Sequence, residues 1–188
     1  MRKLIVLLVC LSGCGVQSIP QAGNAVDAAW GEVQNQYQRR ADLVPNLVAT
    51  VKGFASQEAN VLEAVTAARA RATSINISPD KLDAQSMQKF EQAQGELSGA
   101  LSRLLVASER YPELKSNENF RDLQTQLEGT ENRIAIARRR YIEAVQEFDN
   151  LLTVPPTSFT NSMFYHRQPK PQFTATADNA DKPPTVKF

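Results

Sequence analysis

The chain of 188 residues is poor in most of what catalysis uses. It has one histidine, His166, and two cysteines, Cys10 and Cys14, so a zinc centre or a Cys–His pair lacks donors at the required spacing. Of its eight glycines, those past residue 15 stand singly, which leaves no glycine-rich loop to cradle a phosphate. An excess of one charge is missing too: Lys and Arg total 21, Asp and Glu 20, and a nucleic-acid binder would need a basic surplus on one face. Aromatics are 7% of the residues, and no segment alternates apolar and polar residues over the length of a strand. The apolar stretch Leu4–Leu11 would cover ~12 Å as a helix against a hydrocarbon core of about 30 Å, too short to span a bilayer.

That stretch follows the basic Met1-Arg2-Lys3, and together they read as a secretory signal. It ends in Leu11-Ser12-Gly13-Cys14, which resembles the bacterial lipobox: an aliphatic residue, two small ones, then cysteine. The resemblance implies that the Cys14 thiol receives a diacylglycerol and that cleavage falls just before it. Residues 1–13 are then a signal peptide and Cys10 leaves with them, so no CxxxC pair survives in the mature chain. Each buried methylene contributes about 0.8 kcal/mol, and two or three acyl chains hold where one is marginal. A plain cleaved signal is the alternative. Gly15, standing where Asp would retain a sorted lipoprotein, favours the outer membrane of a bacterial envelope.

Residues 14–23, with Pro20 and two glycines, are expected to be the lipidated N-terminus and a tether. From Val26 the apolar positions recur in steps of three and four: Trp30, Val33, Tyr37, Val44, Val48, Val51, Phe54, Val61, Val65 and Ala68. Pro45 interrupts this stripe by removing the bond to the Ala41 carbonyl, so a helix kinked near residues 41–45 is expected, or a break there with Asp42 as cap. Ser78-Pro79-Asp80 has the cap, first-turn proline and acidic residue of a second helix start. Its stripe runs Leu82, Phe90, Ala93, Leu97, Leu101, Leu104, Ala107 and Tyr111, up to Pro112. A third helix, opened by Ser116 or Asn117, carries Phe120, Leu123, Leu127, Thr130, Ile134, Ala137, Tyr141, Val145, Phe148 and Leu152, and Pro155-Pro156 stops it. The expected fold is all-α: an antiparallel bundle over residues 24–154 of three long helices, or four if the kink counts, with an extended Pro-rich tail over 155–188. Phe159, Phe164, Tyr165, Phe173 and Phe188 are the tail residues able to pin it to the bundle.

At NQYQRRADLVPNLVATVKGFASQE (residues 35–58) the chain resembles the LemA family. The similarity resumes over residues 108–152, SERYPELKSNENFRDLQTQLEGTENRIAIARRRYIEAVQEFDNLL, and again at the terminal KPPTVKF. The resemblance implies an all-α bundle in the bacterial envelope with a poorly defined activity. Many members carry an N-terminal transmembrane helix where this chain has a lipobox, and a Gly-Phe where it has Met163-Phe164. Arg39, Arg40, Asp42, Pro45 and Asn46 match the family motif, which brings no catalytic role with it; they form a structural or partner-contact motif.

Chemistry beyond this is thin. His166 lies among prolines and arginines in the tail, without companions for a metal. Arg138-Arg139-Arg140 point about 100° apart on a helix and so form no single patch; they either pair with Glu131, Glu143 and neighbours or meet anionic headgroups. Arg40 follows Tyr37 by three and Ala41 by four, so either can face the seam; if Arg40 does, its guanidinium reaches carbonyls loosened by Pro45 or a carboxylate on a facing helix. The expectation is a non-catalytic envelope lipoprotein acting as an interaction or scaffold module, held to the membrane by its lipid and facing an unidentified envelope protein. No cofactor, nucleic acid or small-molecule substrate is expected. The rivals are a membrane-active amphipathic helical protein and an enzyme with an unrecognised site.

Overall fold

The apolar stripes fold as helices, and no strand occurs among the described residues. The computed structural model describes residues 2–173, with side chains from residue 17 onward. Helix α1 spans Arg2–Phe54, α2 Ala59–Ser74, α3 Ala84–Ser108, α4 Pro112–Ser116, α5 Glu118–Thr153 and α6 Thr157–Thr160. Single 3-10 turns lie at Ser56–Glu58 and Pro79–Lys81, and a π-type turn at Asn161–Tyr165. Cys14 falls within α1, but its side chain lies outside the described residues, as do Phe188 and the KPPTVKF block.

Directions follow from which residues meet. Gly23 of α1 lies against Phe148 of α5, Trp30 against Tyr141 and Arg40 against Glu131, so the two longest helices run antiparallel. Arg71 pairs with Glu96 and Gln94 reaches the Ala72 carbonyl, joining α2 to α3. Tyr37 meets Phe90, and Arg40 meets Gln94 and Ser98, which lays α3 alongside α1.

The third stripe is realised residue for residue: all ten of its members are buried in α5. Asn117 caps this helix, its side chain accepting from the Phe120 amide at 3.0 Å. The first stripe shifts slightly, with Leu47 and Ala55 buried while Val48 is half-buried and Phe54 exposed.

Several expectations are corrected. Residues 17–23 are helix rather than tether, because Ile19 and Ala22 extend the stripe of Val26 into the core and Gly23 sits where an added Cβ would lie 3.5 Å from the Phe148 ring. The first helix continues through Pro45, as the first of the two expectations had it, and the alternative break there does not occur; what is corrected is its length, since it ends at Phe54 and the division falls at Ala55. Asp42 is therefore not a cap; it sits exposed on α1 and accepts from Gln38 Nε2. The α-helical start expected at Ser78 lies at Asp83, whose carboxylate accepts from the Ser86 amide while Ser86 Oγ accepts from the Asp83 amide. This reciprocal pair outcompetes Ser78, which caps nothing with its side chain and precedes only the 3-10 turn. Pro112 does not end α3, which stops at Ser108; it begins α4, where its missing N–H costs nothing.

The tail is not extended from its start. Residues 157–165 form helical turns, closed by His166 in the left-handed region at φ 51°. Only then does the chain extend, and it is pinned. Tyr141 Oη donates to the Pro171 carbonyl at 2.7 Å, and the Lys170 amide donates to Asp149. Phe173 stacks edge-on against Tyr141 under the Arg138 guanidinium. Of the tail aromatics, Tyr165 and Phe173 pack against the core, whereas Phe159 and Phe164 face solvent.

Candidate functional site: a polar layer at the waist of the bundle

Two apolar clusters fill the bundle. One holds Trp30, Phe90, Tyr141 and Phe148; the other holds Leu47, Val65, Leu104 and Phe120. Between them each long helix places a polar residue on its buried stripe: Arg40 on α1, Gln94 on α3 and Thr130 on α5. Arg40 is 1% exposed. Its Nη1 donates to Ser98 Oγ at 2.6 Å and Glu131 Oε1 at 2.9 Å, and its Nη2 to the Gln94 carbonyl at 3.1 Å and Gln94 Oε1 at 2.7 Å. The guanidinium also lies 5.0 Å from the centre of the Tyr37 ring. Its Nε is buried without a partner. Gln94 passes the chain onward, donating to the Ala72 carbonyl of α2 at 3.3 Å. One guanidinium thus ties α1, α3 and α5 together, and through Gln94 it reaches α2.

The carbonyl that Pro45 strands is met by a different arginine. Arg69 of α2 donates from Nε to the Ala41 carbonyl at 2.8 Å. The bond a residue-45 amide would have made is replaced from outside the helix, which lets α1 continue through an interior proline.

A cleft of about 150 Å³ opens beside this layer, lined by Tyr37, Arg40, Glu91, Glu131 and Arg138 among others. Burial holds the Tyr37 phenol above its ordinary pKa, with the charges of Arg138 and Arg40 pulling it back. Arg138 pairs with Glu91 of α3 at 3.4 Å, not with Glu131 or Glu143 as expected, because the Arg40 guanidinium holds Glu131. Arg139 and Arg140 point to solvent. In this cleft each guanidinium faces a carboxylate, so charge is balanced within it; what the arrangement does is fix the helices' register. Among the described residues no cluster of three or more His, Cys, Asp or Glu is placed to hold a metal ion. No helix there is long and apolar enough to cross a membrane.

The family motif therefore splits. Arg40 is buried in the layer, while Arg39, Asp42, Pro45 and Asn46 are exposed on the other side of α1. The sequence placed Arg40 on the seam as one of two options, but it missed Gln94, Ser98 and Arg69 and gave Glu131 to the Arg138–Arg140 run instead. Gln94 had a signal, since it stands four residues after Phe90 and three before Leu97, a stripe position filled by an amide. Arg69 had none, because nothing local marks which cation serves a distant carbonyl.

A model of the LemA family fits residues 29–188. No curated protein matches the chain.

Proposed function

Because the chain belongs to the LemA family, we propose that it is a non-catalytic lipoprotein of the bacterial envelope. An antiparallel bundle, moored through acylated Cys14, offers one helix face to another envelope protein. That face is the exposed part of the family motif. Arg39, Asp42 and Asn46 follow one another by three and four residues and so share one side of α1. The observation that carries the reading is the split itself: Arg40 is consumed by the polar layer, whereas its motif neighbours are exposed. Together they present a guanidinium, a carboxylate and an amide, a set suited to a polar protein surface.

Photo-crosslinking in cells tests this. A crosslinkable residue at Arg39 or Asn46 is expected to capture a discrete envelope protein that Asp42→Lys abolishes, while one at exposed Lys89 on α3 does not. Equal capture at Lys89, or none at Arg39 and Asn46, would overturn the reading.

A further inference from the structure

We propose that the end of the bundle beside Cys14 is itself a membrane contact, in which Val154, Phe159, Met163 and Phe164 sit in the lipid interface; the inference rests on the acylation of Cys14. These four side chains are between 54% and 71% exposed, within eleven residues of one another in the chain. Largely exposed aromatics and a methionine gathered in one short segment mark a surface that something apolar covers.

The segment is built to present them. The His166 amide donates to the Asn161 carbonyl at 2.8 Å. The Asn161 side chain brackets Arg167 from both sides, accepting its amide at 2.9 Å and donating to its carbonyl at 3.2 Å. With His166 in the left-handed region, the turn over residues 161–167 is closed on itself and projects Met163 and Phe164 outward. A floppy tail would hide such residues; this one holds them in water.

Its place in the fold identifies the occupant. Arg167 and Lys170 line a small cleft with Ile19, Pro20 and Gly23 of α1, and α6 packs on both α1 and α5. Ser18 lies one helical turn, roughly 6 Å, beyond Cys14. Acyl chains on that sulfur would enter a bilayer next to the apolar turn. Charge agrees. Residues 1–26 and 151–177 contain no Asp or Glu, although the chain has 20 of them. The nearest carboxylates on the two helices, Asp27 and Asp149, are turned to Lys170. Exposed Asp80 stands on the far side of Lys170, on the turn before α3; the two acid-free stretches themselves, bearing Arg167 and apolar knobs, fit a surface of anionic headgroups over hydrocarbon.

The test uses the full-length lipoprotein reconstituted into phosphatidylethanolamine vesicles containing phosphatidylglycerol. Acylation leaves the mature chain without a free thiol, so F164C, M163C and, as the distant control, V106C each carry one spin label. Collision with oxygen at positions 163 and 164 is expected to rise in vesicles and collision with an aqueous nickel chelate to fall, with no change at 106. Unchanged nickel collision at 163 and 164 in vesicle-bound protein overturns the proposal and leaves the anchor standing. A fall in both collision rates means that protein, a second copy or a partner, covers the patch, and overturns it equally. Protein that floats free of the vesicles overturns the acylation reading and the proposal with it.

Discussion

Arg40 makes four hydrogen bonds from its two terminal nitrogens, to three residues on two other helices, and the two to Gln94 lie where water does not reach. Truncating it strands the Gln94 amide oxygen and opens a void, so Arg40→Ala is expected to cost about 3 kcal/mol in chemical denaturation. Glu131 is different: its side chain is 49% exposed, so water substitutes for its partner, and Glu131→Gln should cost less than about 1 kcal/mol. Arg40→Met, similar in volume and free of buried charge, should recover much of what Ala loses. Asp149 supplies a pH signature. Burial raises its pKa above 3.8, with the Lys170 amide bond opposing. The native state then holds a proton that the unfolded chain has released. The stability this group contributes is therefore full below pH 3.8 and lost as pH rises through the folded pKa. Asp149→Asn keeps an acceptor for Lys170 and removes the titration. Its melting temperature should exceed that of the parent near neutral pH, and the gap should close in acid.

At the scale of the element, α1 holds an interior proline because α2 reaches over to serve the stranded carbonyl. Arg69→Ala should cost about 1 kcal/mol in the parent and clearly less in a Pro45→Ala background, where the residue-45 amide can take the Ala41 carbonyl. A double-mutant cycle with no coupling between the two sites would refute this account of the helix. Helix α5 relies on its first turn, and Asn117→Ala should destabilise by about 1 kcal/mol, measured by denaturant midpoint. These elements differ in how well the sequence announced them. The α5 stripe and its asparagine cap were legible because both are local: periodicity and a side chain three residues from its acceptor. The division of the first helix was not. The stripe reads as continuous through Pro45 to Ala68, and nothing in its spacing marks the break at Ala55; the Arg69 bond that supports the proline is likewise unrecorded in the spacing. The start of α3 was missed for a related reason: Ser78 and Asp83 are both fair caps, and only the reciprocal bond with Ser86 decides between them.

Across the whole molecule, two apolar cores are joined by a polar waist, and the tail straps one of them through Tyr141, Asp149 and Arg138. The waist fixes register: sliding α1 by one turn would bury Arg40 in hydrocarbon and leave Gln94 without a cation. About half of this layer was readable. Arg40, and Thr130 as a stripe member, stood out at helical spacing, whereas Ser98 and Glu131 are ordinary surface residues by sequence and join only because three helices converge on them. The exposed motif face and the end built from acid-free residues 1–26 and 151–177 are proposed to meet different partners, and both readings presume that Cys14 is held at a membrane. Intact mass and N-terminal peptide mass spectrometry of the mature protein from the native membrane tests that premise most directly. A first residue Cys14 heavier by a diacylglyceryl group is the result the account predicts; a free Cys14 thiol, or a chain still beginning at Met1, would contradict it.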